Sequence, residues 1–106
     1  MMNISIENSA GLCHVGIEGE MTIYTAAQFK DEVIPSMHDC QKMEVSLAGV
    51  SEIDAAGLQV LALLKREAVE NSKSLMFIAH SQAVLEVLDL CDLAGVFGDP
   101  LVISTP

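Results

Sequence analysis

Between Met43 and His80 the apolar residues change their period twice. Met43, Val45 and Leu47 alternate with polar neighbours, which places them on one side of an extended strand. Past Gly49 and the stretch "VSEIDAAG", Leu58, Leu61, Leu64 and Ala68, with Val60 and Val69 beside them, recur at helical steps and give a broad apolar face. "SLMFIAH", Ser74 to His80, is then apolar on both faces and reads as an interior strand. Strand, covering helix and second strand make a right-handed crossover between parallel strands. An all-helical or all-β fold does not fit that order.

The flanks extend the unit. Ile4 and Ile6 alternate with polar residues, Gly11 supplies a turn, and Cys13, Val15 and Ile17 alternate again, so the chain opens with a β-hairpin. In "YTAAQFKDEVIPSMH" Thr25 reads as N-cap with Gln28 completing a capping box, and Tyr24 and Phe29 stand at hydrophobic-staple positions. A helix is expected from Ala26, with Phe29, Val33 and Met37 as its apolar stripe and Pro35 kinking it or ending it early. Asp54 caps the central helix, about Ala56 to Asn71. Ser81 caps a third helix carrying Val84, Val87, Leu88 and Cys91, Gly95 stops it, and "PLVIS" adds a short final strand. The expected fold is a single α/β domain over residues 1–106 in the order β-β-α-β-α-β-α. Its mixed sheet has four to five strands, with the helices packed mainly on one face.

Charge excludes whole classes of partner. Fifteen acids against five bases give a formal charge of −10, which repels phosphate backbones and anionic lipid headgroups. Nucleic acid is not an expected partner. Neither a signal-peptide start nor an apolar run of bilayer length occurs, so the expectation is a cytoplasmic chain without membrane insertion. Cys13, Cys40 and Cys91 are odd in number and lack CxxC spacing, which fits reduced thiols. Lys65, Arg66 and Lys73 cluster near the end of the central helix, where they complement its dipole.

Catalytic chemistry is not legible. Cys13 and His14 are strand neighbours facing opposite ways, His38 and Cys40 have no matching ligand pair elsewhere, and His80 ends a strand as an edge residue. No glycine-rich phosphate cradle is present, and Asp54 lacks the acidic pair that a phospho-accepting receiver aspartate needs for magnesium. The expectation is a non-enzymatic chain with no catalytic residue, metal or cofactor.

"VSEIDAAGLQVL" resembles the signature turn of STAS domains, the family of anti-sigma factor antagonists, sulfate-transporter tails and related regulators. "GIEGEMTIYTAAQFK" is similar to that family's second strand and first helix, and "SLMFIAHSQAVLEVLDLCDLAGVFG" to its last strand and helix, so the likeness covers nearly the whole chain. In the antagonists, the hydroxyl residue directly after the Asp is phosphorylated by a kinase that is also the anti-sigma factor. The resemblance puts Ala55 there, which cannot be phosphorylated, and Thr22 where many members carry an acid. It implies partner binding through Thr22, Tyr24, Asp54, Ala55, Ala56, Gly57 and Gln59, constitutive because the acceptor is missing. Ser51, Thr22 and Thr25 stay open as other acceptors. The implied partner is a Ser/Thr kinase-type anti-sigma factor or a chemotaxis-type signalling protein. The alternative is an accessory subunit on the ATPase of a lipid-type ABC transporter.

Overall fold

The computed structural model describes residues 2–91. Strands β1 (Met2–Ser9) and β2 (Leu12–Met21) pair antiparallel, with Ser9 opposite Leu12, through a turn formed by Ala10 and Gly11. Both turn residues take positive φ, 53° and 90°, the geometry whose twist matches a two-residue hairpin, and the Asn8 side chain accepts from Gly11 N at 3.2 Å. Helix α1 (Ala26–His38), strand β3 (Lys42–Ile53), helix α2 (Ala55–Glu70), strand β4 (Ser74–Ile78) and helix α3 (Gln82–Cys91) follow. The sheet order is β1-β2-β3-β4, with β2, β3 and β4 mutually parallel.

Alternation decides the faces. Cys13, Val15, Ile17, Met43, Val45, Leu47, Leu75 and Phe77 point into one core together with Phe29, Val33 and Met37 of α1, Leu58, Leu61 and Leu64 of α2, and Val84 and Leu88 of α3. The other face is polar and open, and there His14 Nδ1 meets Glu44 at 3.2 Å from the register partner on β3. Each fully buried leucine contributes about 1.5–3 kcal/mol, whereas a helix cap contributes about 1 kcal/mol. The apolar face therefore holds α2 in place more than its cap does.

Several expectations need correction. Of the two effects expected of Pro35, an early end does not occur: α1 runs on to His38. Pro35 and Asp31 are both exposed, so the carbonyl deprived of a helical donor faces water, and Ser36 Oγ donates to the Glu32 carbonyl at 3.0 Å beside it. The capping box does not form: Thr25 makes no side-chain cap bond, and Gln28 Nε2 donates to the Met2 carbonyl at 3.2 Å. Tyr24 is exposed while Phe29 is buried, so no staple joins them. Helix α2 begins at Ala55, one residue early, and its last turn holds no base. Lys65 instead donates to the Leu75 carbonyl at 3.3 Å, tying α2 to β4. Val69 is 71% exposed, off the apolar face assigned to it. Strand β4 stands at the end of the sheet among the described residues, with Leu75 and Phe77 buried and Met76 and Ile78 half-buried. His80 is buried, not an edge residue. Ser81 does cap α3, accepting from Val84 N at 3.2 Å, while Gly95 and "PLVIS" lie outside the described residues.

Candidate functional site

Two register shifts lengthen β3 relative to β2 near their common end: Gly16–Glu18 spans Ser46–Gly49, and Gly19–Glu20 spans Val50–Glu52. Each inserts one extra residue into β3, which twists the pair where it reaches the turns. The β2–α1 loop and the start of α2 meet there. Asp54 joins them. Its Oδ1 accepts from Gly57 N at 3.0 Å, capping α2, and its Oδ2 accepts from Ile23 N at 3.0 Å on the neighbouring loop. Asp54 N donates to the Met21 carbonyl at 3.2 Å, closing the junction from below.

These bonds set the carboxyl's acidity. The Gly57 N–H, against the opposing effect of burial and with help from Ile23 N–H, holds the Asp54 pKa below its ordinary 3.8. Stabilisation by the ionised form is complete above that ordinary value and is lost as pH falls through the lowered one. An amide in its place has one oxygen for two donors and sets its own N–H₂ against one of them. Asp54→Asn is expected to lose about 0.5–2 kcal/mol at pH 7, in the range of cap and hydrogen-bond losses. The gap from wild type should shrink below about pH 4 in urea melts run across pH; a constant gap would mean that the charge is irrelevant.

The loop facing Asp54 is closed by its own threonines. Thr22 N donates to Thr25 Oγ1 at 2.9 Å, Thr25 Oγ1 donates to the Glu20 carbonyl at 2.7 Å, and Tyr24 N donates to Thr22 Oγ1 at 3.3 Å. Thr22 and Thr25 are therefore buried bracing, whereas the two residues between them face outward, Ile23 at 69% and Tyr24 at 93% exposure. Of the three candidate acceptors Ser51, Thr22 and Thr25, Ser51 alone is exposed.

The site residues divide by side. Tyr24, Ala55 and Gln59 are exposed, Asp54 and Ala56 are half-buried, and Thr22 and Gly57 are buried. Gly57 has no room for a side chain, since a Cβ there would collide with the Met21 carbonyl oxygen and lie 2.8 Å from Ile53 Cγ1. From Ala55 the outer face of α2 continues through Gln59, Ala62 and Arg66, which with Leu63 line a shallow groove of about 410 Å³. The result is a shallow surface with Ala55, Ala56 and Ala62 on the same helix as an exposed Gln59 and Arg66, beside the exposed Ile23–Tyr24 pair. Sequence reasoning missed Ile23; the signal was Thr-Ile-Tyr-Thr, two hydroxyls spaced to close a turn around two apolar residues.

Groups suited to bond-making lie elsewhere. Cys13 and Cys40 are buried, and burial together with the neighbouring Cys13 thiol pushes the Cys40 thiol up to about 11. Among the described residues no group of three or more His, Cys, Asp or Glu side chains could hold a metal ion, and no helix is long and apolar enough to cross a membrane.

Comparison with known proteins bears on the family and the fold. A family profile described as "Mlab, STAS domain" matches residues 4–103. The anti-sigma-B factor antagonist of Staphylococcus epidermidis is 25% identical over 95 residues, spanning 87% of this chain and 88% of that protein. An anti-sigma factor antagonist from Mycobacterium paratuberculosis superposes with a TM-score of 0.80 at 20% identity, covering 96% of this chain and 86% of the other. The Bacillus cell fate determinant SpoIIAA, solved in its phosphorylated form, superposes at 0.71 with 13% identity, over 97% and 92% of the two chains.

Proposed function

The chain belongs to the STAS domain family, and from that premise we propose that it is a non-enzymatic regulatory module that docks on a signalling protein through the Asp54–Gly57 turn. The observation that carries the reading is the junction at Asp54, where one carboxylate fixes both the helix start and the loop bearing Ile23 and Tyr24. Such a surface is pre-organised, so little ordering opposes association. The similar proteins are anti-sigma factor antagonists, which supports a regulatory protein as partner; the proposed partner is a Ser/Thr kinase-type anti-sigma factor or a chemotaxis-type signalling protein. An ABC-transporter ATPase is the competing partner. Tagged full chain recovered from its own cells distinguishes the two by the mass spectrum of what accompanies it.

Ala55 gives the module its mode of action. Its methyl group is exposed at the first position of α2, beside the Asp54 carboxylate. A phosphate there would add about two negative charges to a surface that otherwise presents small side chains. Alanine keeps the surface in the uncharged form, so docking is constitutive. A cognate Ser/Thr kinase with ATP is expected to leave the turn unmodified and to phosphorylate the Ala55→Ser variant, as read by intact mass. Phosphate on Ser51 of the wild-type chain would instead place the switch on β3 and contradict constitutive docking.

A further inference from the structure

Three large hydrophobic side chains stand exposed among the described residues, and two of them, Ile23 and Tyr24, are adjacent and belong to the loop held by Asp54. Nothing in the fold requires them there. The turn is closed by Thr22, Thr25 and Asp54, and the backbone N–H groups of residues 22–25 are all bonded. A loop with its backbone already bonded and displaying tyrosine and isoleucine is the composition of a binding anchor, because only the side chains remain to be ordered on association. The charged residues where β2 and β3 run into the turns are all acids. Glu20 and Glu52, both exposed, are register neighbours on β2 and β3, with Glu18 and Asp54 to either side. Like charges placed side by side across strands oppose the sheet. Of the five bases, Lys30 stands a turn beyond Ala26 on α1, Arg66 is eleven residues along α2 from Ala55, Lys65 donates to the Leu75 carbonyl, and Lys42 and Lys73 lie at the opposite end of the parallel strands.

We propose that Ile23 and Tyr24 are the anchor that seats this surface in its partner, and that the partner's docking face is an apolar socket rimmed with lysine or arginine. The proposal rests on docking at the Asp54 turn; it adds which side chains carry the affinity and what chemistry receives them. Cations on the partner would relieve the Glu20–Glu52 repulsion and steer encounter, so the acids act on the association rate and the apolar pair on residence time.

The probe is the protein that accompanies the tagged full chain from its own cells and is lost with Ala55→Asp, purified and measured by surface binding kinetics at 50 and 300 mM salt. Tyr24→Ala and Ile23→Ala should each weaken binding by about 30-fold or more, chiefly through faster dissociation. The double variant Glu20→Gln, Glu52→Gln should slow association and flatten its salt dependence. Melting temperatures check that the variants fold. Affinity within about 3-fold of wild type for both apolar variants would overturn the anchor while leaving the docking turn standing. Association that does not slow with salt would overturn the basic rim. A dimer of this chain abolished by Tyr24→Ala would make a second copy the occupant and overturn the proposal. If no accompanying protein is lost with Ala55→Asp, the docking turn itself fails.

Discussion

Gly57→Ala is expected to lower stability by about 2 kcal/mol or more, although alanine is the better helix former by about 1 kcal/mol. The collision decides the sign. A Cβ at Gly57 meets the Met21 carbonyl oxygen, a backbone atom that also accepts from Asp54 N, and Ile53 Cγ1 at 2.8 Å. Moving that carbonyl aside strains the junction that holds both loops, and overpacking of this kind costs about 1–3 kcal/mol before the hydrogen bond is counted. At about 4–8 °C per kcal/mol, the melting temperature should fall by about 8–16 °C. Gly11→Ala offers no such clash, its nearest atom being Gln41 Cγ at 3.8 Å, and loses through its φ of 90° alone. An unchanged or raised melting temperature for Gly57→Ala would show that propensity outweighs contact and that α2 need not approach β2 so closely. The steric argument also accounts for the spacing of the turn: three residues after the capping acid, the helix passes directly over the end of β2.

Periodicity was sufficient for most elements because they are amphipathic against the same core, and β4 was legible as a short apolar run. Strands β1 to β3 alternate, α2 repeats its leucines, and the order of seven elements follows. What failed was chemistry shared between elements. Thr25 satisfies the local pattern of an N-cap, yet Thr22 and Glu20 compete for its hydroxyl, and that competition depends on a loop closure invisible in a linear reading. Lys65 looks like a helix-end charge until β4 brings the Leu75 carbonyl to it. Pro35 signals a break, but with three residues of α1 remaining after it, the solvent-facing position tolerates the lost bond.

The candidate site was legible in part for the same reason. Asp54 as helix cap is a local property, and the structure shows it. Its second bond, to Ile23 across 31 residues, is not local, and with it came the exposed pair that sequence reasoning had counted only through Tyr24. Thr22, named as partner-binding by resemblance, is buried and braces the loop, a position that its own sequence neighbourhood does not reveal.

Ala55→Asp is expected to abolish docking while leaving the chain folded. A carboxylate at the first position of α2 gains about 0.3–1 kcal/mol from the helix N-terminus, and repulsion from Asp54 offsets much of it. Stability should therefore shift by less than about 0.5 kcal/mol, as for an ordinary surface substitution. Buried against a partner, the same unpaired carboxylate costs about 3–5 kcal/mol, or more than about 100-fold in affinity. The most direct measurement is a calorimetric titration of wild type and Ala55→Asp against the protein that accompanies the chain from its own cells, with thermal melts of both. Tight binding by wild type and none by the folded variant is the expected result. Equal affinity of the two would contradict the central claim and reduce the Asp54–Gly57 turn to a well-capped helix start.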